Sequence, residues 1–273
     1  MLLTLRPTYC DQDDLYFGRA AAEPSFVSQH LYTMDSRQVN KELRAVVRPL
    51  LQTHGFTHFT ARTAWRTSAN RIDVVNFQSF NEYLANGCGC TTYSFALNIG
   101  IYLLSVPDPR PADTPRDKSG ALRPNYWHCH LQRALERAID QPELHRRDIW
   151  YIDEFGRYLT PAVRDARSTL SNVGLDWFER WSDAAILAEL LTDVVVPDDD
   201  TRLPGNPGSL VRSYVAGYVA KHLGERAVAA EQLRHSLALY EKFDAQNTKT
   251  TRAYIPQLPA QLRTDVAELG GTL

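Results

Sequence analysis

The stretch "TTYSFALNIGIYLL" constrains this chain more than any other. Tyr93, Phe95, Leu97, Ile99, Ile101 and Leu103 are apolar and all odd, while Thr92, Ser94, Ala96, Asn98 and Gly100 lie between them. On a helix these side chains would point all round the cylinder; on a strand they form one face of a sheet. The run is therefore read as a strand whose bulky side faces a core and whose small side accepts something packed closely against it.

Helical spacing surrounds this strand. After Asp35 or Ser36, a suitable N-cap, Val39, Leu43, Val46, Val47, Leu50 and Leu51 share one helical face, and Gly55 has the character of a residue just past a helix end. "FTHFTARTAWRT" and "RIDVVNFQSF" have strand character, and so does "DIWYID". Trp127, Leu131, Leu135, Ala138 and Ile139 predict a helix that carries "HCH". Thr160–Pro161 opens a further helix that reaches to Gly174, and Ser182 caps another. The proline-rich residues 107–124 predict an exposed loop. "VPDDDTRLPGNPGS" predicts a linker over 196–208 without regular structure, followed by a helical hairpin, 209–223 and 225–243, joined at Gly224.

The expected architecture is α+β: an antiparallel sheet of about four or five strands with helices on one face, over residues 1–195, then the linker, then a C-terminal helical hairpin and tail over 209–273. At 273 residues, 44% hydrophobic and 23% charged, the chain has enough apolar material for a core without disulfides. The formal charge of −2 gives no overall field toward nucleic acid. No apolar run approaches the roughly 20 residues of a membrane span. "MLLTLRPTYCDQDD" lacks a charged leader followed by an apolar stretch, and four cysteines make no disulfide framework, so a reduced cytoplasmic setting is expected.

Cys88-Gly89-Cys90 and His128-Cys129-His130 carry metal-ligand chemistry in their side chains. A one-residue gap between thiols is unlike the usual two, however, and His128 and His130 on a helix would point about 200° apart. Cys88 and Cys90 are assigned instead to the connection between two strands, with Gly87 and Gly89 serving turn geometry; no metal or cofactor is expected. Asn76, Gln78 and Asn98 are polar residues on the sheet, able to line a pocket or to satisfy backbone groups. Asp153 and Glu154 are expected at a turn and on the surface. Trp127, Trp150, Trp177, Phe178 and Trp181 read as core or interdomain packing, and two of them left exposed would mark a binding patch, for which Trp127 and His128 are the candidates. Asp198, Asp199 and Asp200 form an acidic stretch that could meet a basic partner.

The order of a helix ending in "LLQTHGF", a strand with Trp65, "IDVVNFQSF", "FALNIGIYL" and "GLDWFERW" resembles the bacterial domain-of-unknown-function family DUF 4304, over roughly residues 36–193. "VRSYVAGYVAKHLGERAVAAEQLRHSLALYEKF" is similar to one tetratricopeptide-type hairpin, whose small residues let two helices approach closely. The first resemblance implies a non-catalytic protein-binding module, an immunity-type antitoxin that covers the active surface of a cognate bacterial toxin. Two other readings stand beside it. One is an enzyme with a polar pocket on the sheet. The other is an accessory factor in defence or regulation that binds nucleic acid or an assembly through an arginine face, for instance Arg44, Arg48, Arg62, Arg66 and Arg71.

Overall fold

A computed structural model describes residues 34–108, 114–192, 201–246 and 260–270. The first helix, α1 (Ser36–Val46), begins with a reciprocal cap: Asp35 accepts from the Arg37 N–H at 2.9 Å, and Gln38 accepts from the Asp35 N–H at 3.0 Å. The predicted single helix to Gly55 is divided. Pro49 lacks an N–H to continue the ladder, and a short α2 (Arg48–Thr53) starts afresh before Gly55 turns at φ +82°.

Among the described residues seven strands follow: β1 (His58–Phe59), β2 (Thr63–Thr67), β3 (Arg71–Ser79), β4 (Phe95–Leu103), β5 (Leu131–Ala134), β6 (Ile149–Trp150) and β7 (Thr201–Arg202). They form one antiparallel sheet in the order β1-β2-β3-β4-β5-β7, with β6 paired to β4 beside β5. The count exceeds the expected four or five because "FTHFTARTAWRT" folds as two strands, β5 forms where a helix was expected, and the two-residue β7 lies in the expected linker, while "DIWYID" supplies β6 as expected. β3 and β4 pair without interruption from Arg71↔Leu103 to Ser79↔Phe95. Their connection is longer than a turn: it holds α3 (Glu82–Cys88), capped by Asn81 and ended by Gly89 at φ +67°.

All nine residues of β4 are buried, so both faces of the sheet are covered. Phe95, Leu97, Ile99, Ile101 and Leu103 enter the main core with Val75 and Phe77. The helices lie on that side: α4 (Leu159–Thr169), α5 (Leu175–Arg180), α6 (Asp183–Leu191), α7 (Leu210–Leu223), α8 (Arg226–Gln246) and α9 (Ala260–Gly270). The predicted stop at Gly174 does not occur. A π-turn over Leu170–Gly174 joins α4 to α5, and Gly174 keeps a helical φ of −70°. A Cβ there would lie 2.8 Å from Leu170 Cδ1 and 3.0 Å from Leu135 Cδ1, so the glycine provides room rather than a turn.

The opposite face carries Trp65, Ile72, Val74 and Tyr102, covered by Cys129 and Leu122 from a strap over residues 114–130. This strap replaces the predicted "HCH" helix with a 3-10 turn, Tyr126–His128, followed by β5. Trp127, Leu131 and Leu135 are four apart, a spacing that divides by two, so a strand accommodates them equally well, and the open edge of β4 supplies the hydrogen bonds.

Part of the expected linker is ordered as β7, where Arg202 pairs with Gln132; Asp198, Asp199 and Asp200 lie outside the described residues. The C-terminal hairpin shares the main hydrophobic cluster with the sheet. From Arg212 to Ala220 every residue of α7 is buried. Gly217 lets α8 approach, since a Cβ would meet Leu233 at 2.5 Å. Arg212 caps the carbonyl end of α6, donating to Leu190 O at 2.8 Å, Glu189 O at 2.6 Å and Thr192 O at 3.0 Å. Asp265 on α9 accepts from Tyr218 and Lys221 of α7, each at 2.7 Å.

Candidate functional site

The β3–β4 register sets Asn76 opposite Asn98, with Gln78 on the same face. The structure therefore brings the predicted polar trio together. Asn98 Nδ2 donates to Gln78 Oε1 at 3.0 Å, and Asn76 Nδ2 donates to Thr63 Oγ1 at 3.0 Å. Asn98 is buried, Asn76 half-buried and Gln78 exposed. These groups satisfy one another and hold strands in register.

The small side of β4 is explained by the strap. A Cβ on Gly100 would lie 2.7 Å from Cys129 Cβ and 2.8 Å from its Sγ, so no larger residue fits beneath the strap. Trp65 Nε1 fixes it by donating to Pro124 O at 2.8 Å. On its outer side Trp127 remains 63% exposed, with its ring centroid 5.7 Å from that of His128. His128 Nδ1 accepts from the Asn125 N–H at 3.1 Å and so stabilises the 3-10 turn. Trp150, Trp177, Phe178 and Trp181 are core as expected, whereas Trp127, expected with them, is on the surface because its segment forms the strap and not a helix packed on the sheet. Asp153 forms the expected turn, accepting from the Arg157 N–H at 2.7 Å, but it is buried rather than on the surface.

His130 is directed inward. Its Nδ1 accepts from the Leu103 N–H at 3.0 Å, which leaves the ring proton on Nε2. Burial pushes its pKa down to about 4, with Asp108 acting in the opposite direction, and the Tyr102 ring packs against it at a tilt, centroids 5.1 Å apart. Tyr102 is pushed up to about 12, first by burial and then by Asp108, which also accepts from the Thr114 hydroxyl. Cys88 ends α3, with Arg146 Nη1 3.4 Å from its sulfur, while Cys129 sits beneath the strap. Among the described residues no three His, Cys, Asp or Glu side chains converge as metal ligands.

The five arginines divide into two groups. Arg66 and Arg71 reach Asp73 from both sides at 2.8 and 3.0 Å, and Arg66 also meets Glu179 at 3.0 Å. Arg71 donates to Phe178 O at 2.9 Å and to Trp181 O, which fastens β3 to the end of α5. Burial pushes the Asp73 pKa up, and both guanidiniums oppose that.

Arg44, Arg48 and Arg62 instead line a groove between α1–α2 and the β1–β2 hairpin, over an apolar floor of Leu43, Val47, Leu51 and Phe77. Arg48 rests on the Phe59 ring at 4.6 Å and donates to Thr60 O at 3.3 Å. Arg62 Nε donates to Asn40 Oδ1 at 2.6 Å, whereas its Nη1 is buried with no hydrogen-bond partner. Burial lowers the Arg62 pKa to about 10. Among the described residues, none of these three arginines has a carboxylate within ion-pair distance. Sequence reasoning named them only as part of a larger basic face; their separation from Arg66 and Arg71 follows from the position of Asp73, on the neighbouring strand.

Compared with protein-family models, with curated proteins and with solved structures, the chain matches none. No helix among the described residues is long and apolar enough to cross a membrane.

Proposed function

We propose that this chain is a protein-binding module, and that it acts as its resemblance to DUF 4304 proteins suggests: in the bacterial cytoplasm, covering the active surface of a cognate toxin. The observation that supports this reading is Trp127, a large ring 63% exposed on a strap that is itself fixed to the sheet. A rigid, exposed indole offers contact area with little ordering cost, which is the character of an anchor residue in an interface.

The test is co-expression with the toxic product of the adjoining gene. Wild-type chain restores growth and co-purifies with the toxin, while Trp127→Ala loses rescue and its melting temperature moves by no more than about 2 °C. Failure of the wild-type chain to rescue, or full rescue by the variant, overturns the reading.

A further inference from the structure

We infer that the groove between α1–α2 and the β1–β2 hairpin binds a carboxylate carried on a short apolar stem, with Arg62 as its principal cation. A guanidinium nitrogen removed from water and given no acceptor is costly, and a natural structure tolerates it where a ligand supplies the missing partner. Arg62 Nη1 is such a group, and it belongs to a side chain that lines the groove. Asn40 holds the Nε edge at 2.6 Å, so the guanidinium plane is already oriented before any ligand arrives.

Lining and charge select the ligand. The groove is small and open to solvent on one side, so a ligand can enter it headgroup first. Two oxygens in one plane are what a guanidinium fork accepts. Leu43, Val47, Leu51 and Phe77 beneath suit an alkyl stem and offer nothing to a sugar. Arg44 and Arg48 lie on the same lining and add positive charge without a competing acid. The occupant is a free short-chain carboxylic acid or the side chain of an acidic residue on another protein. Both present the same chemistry, and the inference stands whether or not the partner is a toxin.

The experiment compares butyrate with butyramide, its uncharged isostere, and with inorganic phosphate, at constant ionic strength. The readouts are melting temperature and backbone amide shifts on the full chain. Butyrate raises the melting temperature saturably and moves the amides of Thr60 to Ala64; butyramide and phosphate do neither. Arg62→Gln stays folded, because it relieves an uncompensated charge, and weakens butyrate binding about tenfold or more. Arg44→Gln weakens it less. N-acetylglutamate amide binding more tightly than butyrate assigns the occupant to an acidic side chain; the reverse assigns it to a free acid. Equal responses to butyrate and butyramide, or unmoved Thr60–Ala64 amides in the wild-type chain, overturn the inference even if the Arg62 variant fails to fold.

Discussion

His130 shows how a single residue couples this fold to pH. Its folded pKa of about 4 lies below the ordinary histidine value of about 6.5, so between those two values the unfolded chain binds the extra proton. Its contribution is therefore complete above about pH 6.5, declines as pH falls toward 4, and is constant below. The loss is on the order of 2 kcal/mol, reduced from the full shift because the ring is only half-buried. His130→Asn keeps an acceptor for the Leu103 N–H, and its urea-derived stability falls less between pH 6.5 and 4 than that of the wild type. Parallel curves for the two proteins would contradict this account. At the same scale, Gly100 and Asn98 announced in the sequence that something approaches the small face of β4, because neither has bulk to fill it. Which residue approaches was not legible: Cys129 arrives from beyond a proline-rich loop whose path no local pattern encodes.

Among the elements, the junction of β3 with α5 depends most on charge. Asp73 lies between Arg66 and Arg71 with its carboxylate 3% exposed. Asp73→Asn keeps the shape and removes the charge, leaving two guanidiniums facing each other beside the core. The expected cost is about 3–5 kcal/mol by urea unfolding, and a cost below about 1 kcal/mol would mean that solvent already screens the cluster. The elements themselves differed in how readable they were. α1 and α6 were legible because Asp35 and Ser182 are strong caps followed by an apolar stripe. The strand β5 was misread as helix because a four-residue spacing fits both periods and only the edge of β4 decides between them. The groove was half legible: Arg44 and Arg48 lie close together on the first two helices, but Arg62 joins them through Asn40, 22 residues earlier, and the absence of an acid beside it is a product of tertiary packing.

For the whole molecule, the C-terminal helices complete the core. The sequence signalled a hairpin, through the small residues of its two helices and Gly224 at their joint, yet its burial depends on contacts with distant segments: Arg212 on the end of α6, and Tyr214 donating to Pro107 O at 2.9 Å. A chain ending at residue 208 uncovers α6 and this part of the core, and it loses cooperative thermal unfolding while keeping part of its far-ultraviolet signal. A sharp two-state transition in that fragment would make the hairpin an appendage. Synthesis runs from the N-terminus, so when the sheet strands have left the ribosome the helix that seals α6 has yet to be translated. The nascent polypeptide thus carries a sticky, unfinished interior until its final quarter emerges, and a ribosome-associated holdase, or a pause in translation just upstream of α7, would bear directly on its yield.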